Sequence, residues 1–201
     1  MLLGKLFVVS VVWCLLAVAS SSVARADVKV SETVKYYRVN GKTGTDVVSA
    51  MARRGPRSGF LARAIAQTWY SPTNDGELVL RNGVCSVRNP GVRLEIRFTF
   101  PILGEDAGTT LQQRWKAFMR GVIKHEGRHA DLARQMAAKM DRTMTGFKMT
   151  AAGGDCRAAK RDLARRLDAI WKEYDLRQNA FDKREHRRGG EVDKLVRALK
   201  R

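Results

Sequence analysis

From Leu111 to Met140 apolar side chains recur every three or four residues, and two histidines keep step with them. Leu111, Trp115, Phe118 and Val122 lead into His125 and His129; Leu132, Met136 and Met140 follow. That period marks one helix face turned towards a core. The fold must therefore bury two imidazoles in the middle of a long apolar stripe. Buried polar rings without partners are costly, so something must meet them. The stretch reads His125-Glu126-Gly127-Arg128-His129, an H-E-x-x-H pattern. Residues four apart stack on one helix face, so both rings can reach a single Zn²⁺, the partner expected here. Glu126 lies between them, placed to act as general base on water that the cation activates.

Zinc held for catalysis takes three protein ligands and keeps a position open. A third histidine six residues beyond the second, as in metzincins, is excluded because position 135 is Gln135. His186 is the first candidate, as the one histidine left in the chain. Glu173 follows, near the end of the last long helix, and Asp162, Asp175 and Asp182 remain open.

The surroundings of the motif read as α+β. Val28 to Val39 suits a strand, and Thr43 to Arg54 a helix stopped by Gly55-Pro56. Phe60, Leu61, Ala64, Ile65 and Trp69 have helical spacing, in a short helix or an irregular apolar segment. Glu77 to Arg81 and Val84 to Arg88 flank Asn82-Gly83, a strong hairpin signal because both turn residues must take positive φ. Leu94, Ile96, Phe98 and Phe100 alternate with polar residues in a half-buried strand, which Pro101 is expected to end. Thr109 and Gln112 suggest a capping box for the long helix. Gly153-Gly154 breaks the chain, and Asp155 is placed to cap a last helix with the stripe Ala159, Leu163, Leu167, Ile170 and Tyr174. The expectation is a zincin-like single domain: a small antiparallel sheet packed with the H-E-x-x-H helix and a long C-terminal helix.

Compartment is read from the N-terminus. Lys5 precedes the apolar run Leu6 to Ala19, too short to span a bilayer, and Ala24-Arg25-Ala26 is an A-x-A cleavage pattern. Residues 1–26 are expected to be a signal peptide, 27–181 the metallohydrolase domain, and 182–201 a basic tail. Periplasmic or secreted localisation follows, with no transmembrane span after processing. Cys14 leaves with the signal peptide, and Cys85 and Cys156 are expected to pair in an oxidising compartment. The net charge is +18, with 38 Lys and Arg against 20 Asp and Glu. Such a balance favours anionic partners, and export directs it to an envelope surface rather than to nucleic acid.

The chain resembles a bacterial family of secreted proteins of unknown function, described as zinc-dependent proteases. The resemblance runs through Tyr37, Val39, Gly41 and Thr43, then Gly55-Pro56, Ala66, Thr68 and Trp69. It continues with Cys85, Pro101, Trp115, the His125 to His129 motif and Cys156. Near its end the family pattern has Tyr-Asp, then Thr, then His-Gly; here Phe181-Asp182, Glu185-His186 and Gly189 stand in those places. The resemblance implies a zincin-like domain and peptidase activity. The reading of the residues is an exported zinc hydrolase, a metallopeptidase, whose substrate is a peptide or protein. The alternative is a non-catalytic envelope-binding module with a structural metal.

Overall fold

The computed structural model describes residues 28–57 and 63–201. The expected signal peptide with its cleavage site, Cys14, and Phe60 and Leu61 lie outside these residues. Strand β1 (Val28–Val39) leads to helix α1 (Gly44–Arg54). Thr43 caps α1: its hydroxyl accepts from Asp46 N–H, and the Asp46 carboxylate accepts from Thr43 N–H. The sheet strands are β2 (Gln67–Asn74), β3 (Glu77–Arg81), β4 (Val84–Arg88) and β5 (Val92–Leu103). Helix α2 (Thr109–Thr145) carries the motif, and β6 (Lys148–Thr150), α3 (Arg157–His186) and α4 (Glu191–Lys200) complete the chain.

The mixed α+β class stands, with two small sheets in place of one. In the first, β5 is central, parallel to β1 and antiparallel to β2. The expected wholly antiparallel sheet is thus corrected, because α1 and the following strands intervene between β1 and β5 and bring the chain back in the same direction. The second sheet is the predicted hairpin β3–β4 extended by β6. Asn82 and Gly83 both have positive φ, 49° and 73°, as the tight turn demands. Cys85 of this sheet is bonded to Cys156 at the start of α3, with Cα atoms 5.7 Å apart.

Three local expectations are corrected, and one left open is decided. Of the two readings for the apolar spacing, the irregular segment holds at Ala64 and Ile65, while Trp69 lies in β2 and stacks under the Arg97 guanidinium at 3.5 Å. Pro101 does not end its strand. Pairing with β2 stops at Thr99, so Pro101 sits where β5 has a free edge and a missing N–H is tolerated. Gly108, not Thr109, precedes the first turn of α2, and the Gln112 amide donates to Ala107 O instead of completing a capping box. Helix α3 starts after Cys156, with Asp155 accepting from Arg157 N–H one step earlier than predicted.

The segment expected as a basic tail is helical and packs on the domain. Helix α3 runs to His186, and α4 buries Val192 and Leu199. Gly44 makes this docking possible: a Cβ there would lie 1.8 Å from the Leu199 carbonyl oxygen. Along α2, Leu111, Trp115, Phe118 and Val122 pack with β1, α1 and Leu199 in one apolar cluster. Ala130, Ala133, Met136, Ala137 and Met140 pack with β5 and α3 in another. His125, Glu126 and His129 occupy the interval between the two. Among the described residues no helix is long and apolar enough to cross a membrane.

Candidate metal centre

Two helices each supply a pair of side chains four residues apart. From α2 come His125 and His129, and from the facing turns of α3 come Gln178 and Asp182. The stripe of α3 explains the second pair. Ile170 and Tyr174 are buried, and one turn further the same face presents Gln178, 7% exposed, and then Asp182. The polar residues of α3 thus meet the buried histidines of α2 where both apolar stripes pause.

Contacts from α3 orient the His129 ring. Gln178 Nε2 donates to His129 O at 3.0 Å, which orients the amide. Its Oε1 then lies 2.5 Å from His129 Nδ1 and accepts the proton there. His129 Nε2 then faces His125 Nε2, 3.2 Å away, and Asp182 Oδ1, 2.9 Å away. The distance from His125 Nε2 to Asp182 Oδ1 is 3.2 Å. Three electron-rich atoms thus converge on one point. Ligand atoms about 2.0–2.2 Å from a tetrahedral zinc lie roughly 3.3–3.6 Å apart, on the same scale as these separations. Among the described residues, His125, His129 and Asp182 form the group able to hold a metal ion. The donor set, two imidazoles and a carboxylate, fits a divalent cation of borderline softness.

His186 is not in that group. It lies beside it, its Nε2 3.9 Å from Asp182 Oδ1 and its ring edge-on to His125. Of the carboxylates weighed from sequence, Asp182 alone reaches the imidazoles. Glu173 is engaged by Lys139 and Arg177, Asp162 by Arg165 and Arg166, and Asp175 by Asn179. Phe181 stacks on His125, with ring centroids 4.8 Å apart, and meets His129 edge-on. His125 Nδ1 is buried without a hydrogen-bond partner, and Glu185 Oε2 lies 4.0 Å from it.

Glu126 is 5% exposed, on the β2 side of the histidines. Thr68 of β2 places its hydroxyl 2.7 Å from Glu126 Oε2 and 3.0 Å from Glu126 O, so it donates into the carboxylate turn. Burial pushes the Glu126 carboxyl above its ordinary pKa, against the opposing effects of Thr68 and the two histidines. Burial acts the same way on Asp182, but hydrogen bonds and charge from His125 and His129 outweigh it and hold that carboxyl well below the usual range. For His129, burial disfavours the charged ring, yet the hydrogen bond and charge of Asp182 raise its pKa overall. His186 is lowered, chiefly by burial.

Sequence reasoning missed Gln178 and ranked Asp182 low. The signal was present: both continue the buried stripe of α3 at the helical period, the same argument that singled out the histidines of α2. A family model described as a bacterial protein of unknown function (DUF922) matches residues 34–190. Neither a curated protein nor a solved structure matches the chain.

Proposed function

The chain belongs to the bacterial family of unknown function DUF922, and from that premise and the metal centre we propose that it is an exported zinc-dependent hydrolase of peptide bonds. The observation that carries this reading is Glu126: a buried carboxylate beside a three-ligand cluster, oriented by a hydroxyl from a neighbouring strand. His125, His129 and Asp182 would hold the Zn²⁺. When bound, the ion supplies Lewis acidity, polarising a carbonyl oxygen and making water acidic near neutral pH. Glu126 takes a proton from the attacking water and returns it to the departing amide nitrogen. Thr68 fixes the carboxylate during this exchange, and Gln178 keeps His129 in the tautomer that presents Nε2.

A peptide substrate is compatible with the sheet. The strand β5, with Leu94 to Thr99 in its interior, has both neighbours in place and offers no free edge along that stretch. The edge beside the site belongs to β2, which holds Thr68, and an extended peptide laid along β2 would pass Glu126. The alternative, a binding module with a structural metal, calls for a fourth protein ligand closing the site; the cluster among the described residues has three. An anionic envelope surface is proposed as a second partner. Lys116, Arg120, Lys124 and Arg128 lie in a row on the exposed face of α2, at successive helical turns.

The test is Glu126→Gln, which keeps size and removes the base. The variant should bind one Zn²⁺ per chain like the parent, while hydrolysis of a peptide library falls about 10²–10⁴-fold. Undiminished turnover in the variant would sink the reading.

A further inference from the structure

Two cavities meet at His125. The first, about 90 Å³, lies against His125, His129, Asp182 and Glu126, and its apolar walls include Ile65, Ala66, Val122 and Val192. The second, about 760 Å³, opens on the other side of His125, along α2 and against the α3–α4 junction. Two of the described residues border both spaces, His125 and Val192. With His125 committed to the metal, Val192 is the part of the partition free to vary.

The walls of the smaller cavity are held in place. Ala64 N–H donates to Pro56 O at 2.9 Å, and the Tyr37 hydroxyl donates to Ile65 O at 2.5 Å. Arg63 donates to Gly55 O and the Gln67 amide to Arg57 O, both at 2.9 Å. Opposite them, Val192 is 6% exposed in the first turn of α4. Helix α4 is seated by Leu195, which packs where Gly121 has no side chain; a Cβ there would lie 2.4 Å from a Leu195 methyl. A bound ion and its water would take part of the smaller cavity, and a cavity of roughly 150 Å³ is what holds one benzene ring, so the volume that remains is too small for an aromatic side chain.

We infer that this cavity is the side-chain subsite next to the scissile bond, that it takes a small aliphatic residue such as alanine or valine, and that Val192 sets its limit. The inference rests on the metal-hydrolase reading. It also gives α4 a part in the site, since α4 brings Val192, which with His125 borders both the restrictive cavity and the spacious groove. Shortening Val192 joins the two spaces; lengthening it shrinks the first.

The experiment is a calorimetric titration of the zinc-loaded chain with the N-acetyl hydroxamates of glycine, alanine, valine and phenylalanine. These probes bind through the metal and present their side chains to the subsite. In the parent, the alanine and valine compounds should bind at least about tenfold tighter than the phenylalanine compound, a range typical of apolar pockets. Val192→Ala should bring the phenylalanine compound to within about threefold of alanine, and Val192→Leu should weaken valine while sparing glycine. Thermal melts establish that each variant is folded, and the parent's ranking decides even if one is not. Phenylalanine binding the parent as tightly as alanine overturns the inference, as does an unchanged ranking in both folded variants. Binding of none of the four compounds to the zinc-loaded parent removes the metal-hydrolase reading itself, and the subsite with it.

Discussion

At the residue scale, the centre depends on a division of labour between nitrogens of one ring. Gln178 Oε1, 2.5 Å from His129 Nδ1, is placed to accept a hydrogen bond there, which favours the tautomer that offers Nε2 to a metal. Gln178→Leu removes that acceptor at similar volume and frees the tautomer. Metal affinity should fall about 10–100-fold, the usual cost of losing a partner behind a ligand. Gln178→Glu restores an acceptor and should recover most of the loss. Competition with a chromophoric chelator measures both, and a Leu variant that binds like the parent would show that the amide is mere packing. The neighbouring contrast is instructive. His125 has no such partner on its Nδ1; its orientation rests on the stacked Phe181 ring and the packing of α2.

At the scale of elements, the cluster is a clasp between two helices. His125 and His129 come from α2 and Asp182 from α3, so an ion bound there ties the two together. Binding to the native state alone stabilises it by about 2.7 kcal/mol at a free concentration one hundred times Kd. Zinc should therefore raise the melting temperature of the chelator-treated protein, and Asp182→Ala should abolish most of the rise. A melt insensitive to zinc would contradict the cluster's assignment. The second clasp is covalent. Cys85 and Cys156 are 71 residues apart and join the hairpin sheet to the start of α3. Replacing both with serine releases that loop in the unfolded chain and should cost up to about 4 kcal/mol by the chain-entropy estimate. Denaturant unfolding reads the loss, and it should leave the metal stoichiometry unchanged because the disulfide lies at the opposite end of α3 from Asp182.

At the scale of the whole molecule, charge is the dominant property: +18 over the 201 residues. Much of it lies on exposed helical faces, so the protein should bind vesicles rich in anionic lipid in low salt and release them as ionic strength passes physiological values. Cosedimentation across a salt series checks this; equal binding to neutral vesicles would point to apolar contact instead. The residues that announce themselves by period or spacing were legible in the chain alone. His125, Glu126 and His129 follow from one helix, the Asn82-Gly83 hairpin from two adjacent residues, and the pairing of Cys85 with Cys156 from their number and compartment. Each is a local pattern or a count, and needs no knowledge of what lies opposite. What lies opposite was decided by packing. Asp182 and Gln178 became partners of the histidines because α3 crosses α2 at that height, and Thr68 because β2 flanks β5 there. His186, one turn beyond Asp182, was left at the rim by the same crossing. The supposed tail is a wall of the site because Gly44 and Gly121 leave room for α4 to dock. Sequence carries the period of each surface, but which surfaces meet, and at what register, depends on contacts between residues far apart in the chain.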